Sequence, residues 1–155
     1  MKNKKYLLKG QSMFEVVVAI FIMALIIVGV IILSTNSISN SSFSKNKTLA
    51  GRYAQEAIEW LRSQRDADMT IFTGRVSAVP YCLTDISLAN PWSNIGTCTS
   101  TEVIPETSFR REASLSTSQI SLKNVIEATV VVYWSDSKGS HEVRSVTNFT
   151  DIREK

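Results

Sequence analysis

The sequence predicts an α+β chain, in which one long N-terminal helix has a first half suited to a membrane and a second half packed on a C-terminal antiparallel sheet. Three observations predict it. Residues 16–33 are 18 consecutive positions with no charge and no strongly polar side chain. From Lys45 onward, apolar residues recur at three- and four-residue spacing, as on one face of a helix. In the last third the spacing changes to two, the period of a strand.

Taken in order, the chain opens on a short basic leader in which Lys2, Lys4, Lys5 and Lys9 precede Gly10. The apolar run that follows makes roughly 27 Å of helix at about 1.5 Å per residue, close to the ~30 Å hydrocarbon core of a bilayer. By the positive-inside rule, the lysines hold the N-terminus in the cytoplasm and send the remainder outward. Glu15 stands one residue before the run, where a carboxylate costs energy unless it snorkels or finds a partner. Beyond the run the sequence reads Leu33-Ser34-Thr35-Asn36-Ser37, a poor site for secretory cleavage.

Lys9-Gly10, then Gln11-Ser12-Met13-Phe14, then Glu15 and an apolar helix of about twenty residues resembles the N-terminus of type IV prepilins and of the pseudopilins of type II secretion. The resemblance covers about 25 of the 155 residues and implies three things. A membrane-embedded prepilin peptidase of the aspartyl class cuts between Gly10 and Gln11 on the cytoplasmic side. The new α-amino group of Gln11, which stands where phenylalanine is usual, is methylated. Glu15 becomes the fifth residue of the mature chain and serves filament assembly. The implied partners are other pilin or pseudopilin subunits, the peptidase, a membrane assembly platform and the cytoplasmic membrane itself.

Physical chemistry supplies a separate reason for Glu15. An α-amino group with a reference pKa of about 7.7–8.0 is largely cationic at neutral pH, and burying it or a carboxylate alone is costly. Pairing Glu15 of one subunit with Gln11 of its neighbour offsets both costs and fixes an axial register. The alternative is a carboxylate that snorkels to a headgroup.

Residues 34–44 are serine-rich but contain neither proline nor glycine, so helix continues through them. Ala50, Tyr53, Ala54, Ala57, Trp60 and Leu61 then form a stripe suited to lie on a sheet, with Arg52, Glu56, Glu59 and Arg62 between them. The whole makes one helix over about 12–66, about 80 Å long. The segment AGRYAQEAIEWLRSQRD is similar to the second half of the long helix in bacterial prepilin-like proteins.

Residues 67–106 hold Pro80, Pro91 and Pro105, Gly74 and Gly96, and both cysteines, and read as an irregular connection with one strand near 76–83. Cys82 and Cys98, with 15 residues between them, lie outside the membrane by the topology above. A disulfide is the natural reading there, and two free thiols or a metal site are the alternatives. Lone His141 and the absence of a C-x-x-C pair count against zinc.

The final third predicts strands over about 109–116, 125–135 and 140–149. In the second of these, Ile126, Ala128, Val130, Val132 and Trp134 share one face. Val125, Glu127, Thr129, Val131 and Tyr133 share the other, which is more polar and suited to partial solvation. Ser135-Asp136-Ser137-Lys138-Gly139 supplies a turn between the last two strands. The stretch EATVVVYWSDSKGSHEVRSVTNFTD resembles the terminal hairpin of minor pilins and minor pseudopilins. The predicted organisation is a cleaved leader over 1–10, a long helix over 11–66 with its membrane part at about 14–33, a connecting loop over 67–106, and a sheet over 107–155.

Composition narrows the function. The formal net charge is +3, and without the four leader lysines it is −1, so no nucleic-acid surface is predicted. No P-loop, G-x-G-x-x-G, G-x-S-x-G or H-E-x-x-H occurs, His141 reads as solvated beside the turn, and Glu56 and Glu59 read as a solvated helix flank. No cofactor and no enzymatic activity are expected. The favoured reading is a structural subunit, minor rather than major, that waits in the cytoplasmic membrane with its N-terminus inside and then joins an extracytoplasmic filament. The alternatives are a single-pass, membrane-anchored extracytoplasmic binding protein that does not polymerise, and an anchored enzyme. The sequence leaves open whether the filament is a pilus, a DNA-uptake filament or a secretion pseudopilus.

Overall fold

In the computed structural model of the chain, residues 13–120 and 123–150 are described. The fold is α+β and pilin-like, with a 55-residue N-terminal helix whose residues from Phe43 onward pack against a four-stranded antiparallel sheet. The order along the chain is α1 (Met13–Ala67), α2 (Met69–Thr73), β1 (Tyr81–Cys82), a 3-10 turn at Pro91–Ser93, β2 (Arg110–Ile120), β3 (Lys123–Asp136) and β4 (Gly139–Phe149). Two compact units divide the chain, Met1–Ser42 and Phe43–Lys155.

In the first unit, Glu15 is the only ionisable residue among positions 13–42. The helix persists through the serine-rich stretch, where Thr35 Oγ1 donates to the carbonyl oxygens of Ile31 (3.1 Å) and Ile32 (3.0 Å). Such back-bonding occupies a hydroxyl that would otherwise compete with the helix from outside it.

In the second unit, α1 from Phe43 onward buries Ala50, Ala54, Ala57, Ile58 and Leu61. Alanine at three of these positions lets the helix backbone approach the sheet closely. Tyr53 and Trp60, expected on the same stripe, are half-buried at its borders. The helix stops where Asp68 takes an extended backbone and turns its carboxylate to accept from Ile71 N (3.0 Å), capping α2.

The sheet order is β1-β2-β3-β4, and every neighbouring pair is antiparallel. Ile126, Ala128, Val130, Val132 and Trp134 of β3 are all buried and meet Ala113 and Leu115 of β2, Phe149 of β4 and the helix in one core. Fully burying one such aliphatic side chain contributes roughly 1.5–3 kcal/mol. The opposite face of β3 is partly solvated at its polar positions, as the sequence indicates, and closed at its valines. Glu127, Thr129 and Tyr133 are half-buried there, while Val125 and Val131 are buried. Gly139, at φ 125°, closes the β3–β4 turn in a conformation that side-chain-bearing residues rarely adopt.

The strand expected over 76–83 shrinks to the two residues of β1. Residues 75 and 76 instead close turns on α2, with Arg75 N donating to Phe72 O (3.0 Å) and Val76 N to Thr73 O (3.1 Å). Pro80, which has no N–H to give, stands immediately before β1.

A candidate assembly helix and its disulfide-clamped head

Residues 16–33 present their side chains outward at every position, from Val18 at 37% exposure to Leu33 at 72%. None of the best 18-residue apolar window is buried. No soluble core covers this surface among the described residues, and its mean hydropathy of 3.5 suits lipid or other apolar helices. Glu15 lies in the first turn of α1 and is exposed. A carboxylate there is also favoured by the partial positive charge of a helix N-terminus. Gly10 and Gln11, the residues of the expected cleavage and methylation, lie outside the described residues.

Cys82 and Cys98 form a disulfide with Cα atoms 5.0 Å apart. It closes a ring that carries Trp92, whose indole packs 4.9 Å from Trp60 of α1 and 4.9 Å from Tyr81 of β1. Cys98 N donates to Glu112 Oε1 (2.8 Å), and Glu112 is itself 9% exposed, so a buried carboxylate of β2 holds the second cysteine in place. Among the described residues no group of three or more potential metal ligands occurs. Because both sulfurs are joined in this bond, the disulfide reading holds at Cys82 and Cys98 in place of two free thiols or thiolate metal ligands.

Sequence reasoning missed Arg111. It sits on the core-facing side of β2 at 1% exposure, the largest fully buried side chain described. Its Nε donates to Leu83 O (3.0 Å), and a terminal nitrogen donates to Tyr53 O (3.2 Å) and to Glu56 Oε2 (2.8 Å). One guanidinium thus ties helix α1 to the residue after β1. Burial lowers its pKa from the ordinary arginine value, and the hydrogen bond and charge of Glu56 push it back up. The signal was available: in Phe109, Arg111, Ala113 and Leu115, a period of two puts the arginine on the apolar face. Glu56, read from sequence as part of a solvated flank, is half-exposed and bound to this arginine, whereas Glu59 pairs with Arg62 at 2.6 Å.

His141 is not the freely solvated side chain its place beside a turn indicates. Its ring lies 5.0 Å from Phe43 of α1 and 5.3 Å from Trp134, and Nε2 is 2.9 Å from Asp136 Oδ1. Asp136 also accepts from Lys138 N (2.7 Å), and these two contacts hold its carboxyl below the ordinary carboxylate pKa. The histidine therefore packs α1 at Phe43 onto the hairpin.

No protein-family model, curated protein or solved structure matches the chain. The apolar N-terminal helix is of a kind that anchors a protein in a membrane or directs it there, and the disulfide indicates an extracytoplasmic head.

Proposed function

We propose that the chain is a structural subunit, a minor pilin or pseudopilin, of a type IV pilus-like filament. Prepilin peptidase removes residues 1–10, the exposed amine of Gln11 is methylated, and the subunit waits in the cytoplasmic membrane until an assembly platform adds it to a filament of like subunits. It has no catalytic role. The observation that carries this reading is the division of labour along α1, whose apolar, outward-facing residues 16–33 follow the lone carboxylate Glu15 while residues from Phe43 onward serve as the spine of a disulfide-bearing α+β head. A plain membrane anchor needs neither a glutamate at that position nor a glycine five residues before it.

The test is intact-mass and N-terminal sequencing of the protein from membranes and from sheared surface fractions. A chain beginning at Gln11 in both fractions is expected, and one beginning at Gln11 in membranes alone fits a subunit that initiates filaments without filling them. A chain retaining Met1 in a host with an active prepilin peptidase would sink the proposal. Glu15→Ala should still be processed yet fail to enter filaments, because its α-amino partner loses the compensating charge.

A further inference from the structure

The disulfide joins two cysteines that are held in different ways. Cys82 lies in β1, opposite Glu112 of β2. Its N donates to Asn94 O (2.9 Å), away from β2, so Cys82 and Glu112 are a pair without mutual backbone hydrogen bonds, whose side chains stand close on their shared face. One residue on, Leu83 N donates to Arg111 O (2.8 Å) and Leu83 O accepts from Arg111 Nε (3.0 Å). The sheet itself therefore fixes Cys82, which is 1% exposed.

Cys98 belongs to no strand. Its segment folds on itself, with the Glu102 carboxylate accepting from Asn94 Nδ2 (2.5 Å), Thr99 N (2.6 Å) and Thr99 Oγ1 (2.7 Å). The segment is pinned at its start, where Gly96 N donates to Pro80 O (2.7 Å), and at its end, where Ile104 N donates to Phe109 O (2.8 Å). Between those points, among the described residues, the hydrogen bond that ties it to the sheet is Cys98 N to Glu112 Oε1 (2.8 Å). Cys98 Sγ also lies 3.3 Å from Arg111 O, but a disulfide sulfur has no proton to donate. A cleft of about 240 Å³, lined by Ser100 and Val103 of the segment and by Ser108 and Arg110, leaves its far side loosely packed.

We propose that Cys98 is the exchanging sulfur of this bond, the site at which a low-molecular-weight thiol is taken up as a mixed disulfide, and that Glu112 is the positioning residue that governs access to it. Attack on a disulfide follows access to the sulfur as well as the chemistry of the thiols. Reaching Cys82 requires breaking the β1–β2 ladder. Reaching Cys98, at 6% exposure, requires only that its amide leave Glu112 and the segment lift, a local opening of the kind that proteins make without unfolding. An incoming thiolate then forms a bond to Cys98 Sγ as the Cys82–Cys98 bond breaks. The displaced electron pair stays on Cys82 Sγ, which takes a proton from water. The thiol is oxidised to a mixed disulfide and Cys82 is reduced, so no further oxidant or reductant enters the step. Because β1 keeps Cys82 in place, its thiolate can attack Cys98 Sγ in return and expel the thiol. The opening is confined to one short segment, which is why the reagent is a small thiol rather than a protein. The proposal concerns the head alone and stands whether or not the chain enters a filament.

The test uses the full oxidised chain in detergent with excess reduced glutathione, acid quenching at timed intervals, and peptide mass mapping. On the unaltered chain, glutathione is expected on Cys98, with Cys82 as the free thiol. Glu112→Ala should raise the exchange rate about tenfold, the shift in an opening equilibrium when one buried hydrogen bond is lost. Glu112→Gln keeps an oxygen that accepts the Cys98 amide and should stay close to the unaltered rate. Ala54→Leu strains the core elsewhere and controls for general destabilisation, so it should leave exchange under native conditions unchanged. Glutathione on Cys82, or on both cysteines equally, would overturn the proposal, and that readout stands even if Glu112→Ala does not fold. An unchanged rate in Glu112→Ala, an equal acceleration by Ala54→Leu, or a bond that yields to glutathione only once denaturant unfolds the head would overturn it as well.

Discussion

Replacing Arg111 tests what holds the helix to the sheet. In Arg111→Ala, the carbonyls of Leu83 and Tyr53 lose their charged donor in a site closed to water. Hydrogen bonds to a charged group contribute about 1.5–3 kcal/mol each, and the buried stem adds about 0.8 kcal/mol per methylene. Part of this is returned, because a guanidinium no longer has to be stripped of water. The net expectation is a loss of about 3–5 kcal/mol. The bond to Glu56 enters differently, since that carboxylate is 54% exposed and its attraction is screened by solvent. Glu56→Gln should therefore cost less than about 0.5 kcal/mol. Arg111→Met fills the space without leaving a buried charge and should fall between the two. The assay is denaturant unfolding of the full chain in detergent, followed by the fluorescence of Trp60, Trp92 and Trp134, all of which report the head. Equal losses for Arg111→Ala and Glu56→Gln would refute the reasoning, by showing that the ion pair and not the carbonyl bonds carries the energy. A loss under about 1 kcal/mol for Arg111→Ala would refute it as well.

Opening the disulfide by Cys82→Ser with Cys98→Ser should cost roughly 3 kcal/mol by the loop-entropy account, read as a lower unfolding midpoint that reductant does not lower further. Ala54→Leu, which forces a larger side chain between α1 and the sheet, should destabilise by about 1–3 kcal/mol in the same assay, whereas Arg52→Leu on the exposed side should not. Among the described residues, three carboxyls with lowered pKa values contribute to the response to acid. Asp136 is held below its ordinary pKa by His141 and the Lys138 amide, Glu102 by the amide and hydroxyl of Thr99, and Asp85 by Ser87. Because each folded-state value is depressed, the stabilisation is complete above the unfolded-state pKa of about 4 and is lost as pH falls through the lower folded values. Asp136→Asn should remove the hairpin's share of that acid response, measured by amide exchange near the β3–β4 turn between about pH 4 and pH 2.

The parts of the fold legible in the sequence are those in which one residue's environment repeats at a fixed interval. Ile126 to Trp134 alternate strictly, and the helix repeats its alanines at turns of three and four, so neighbours reinforce one another's assignment. Ile58, four residues after Ala54 and buried with it, belongs to the same stripe and was missed although that spacing was present in the sequence. The region holding β1, α2 and the 3-10 turn has no repeat to read. Its shape is set by pairings distant in sequence, such as Leu83 N to Arg111 O at 2.8 Å and Ser77 N to Leu115 O at 3.3 Å. The same holds for His141, whose contacts with Phe43 depend on a helix almost a hundred positions earlier. The disulfide was legible as a preference, because compartment and spacing favoured it, but its geometry needed β1 and β2 to place Cys82 beside Glu112.

The ring closed by Cys82 and Cys98 has a consequence for how the protein can diverge. Its main anchors are Leu83, Trp92 and the short pairing of Asn94–Gly96 with the segment around β1, while residues 86–91 form an intervening span that is exposed or half-covered. Lengthening such a span costs little, about 0.6 kcal/mol for each doubling of its length, since the covalent closure and the tryptophan already fix both ends. Insertion and substitution can thus reshape the surface between those anchors while the helix, the arginine bracket and the hairpin keep a constant chassis.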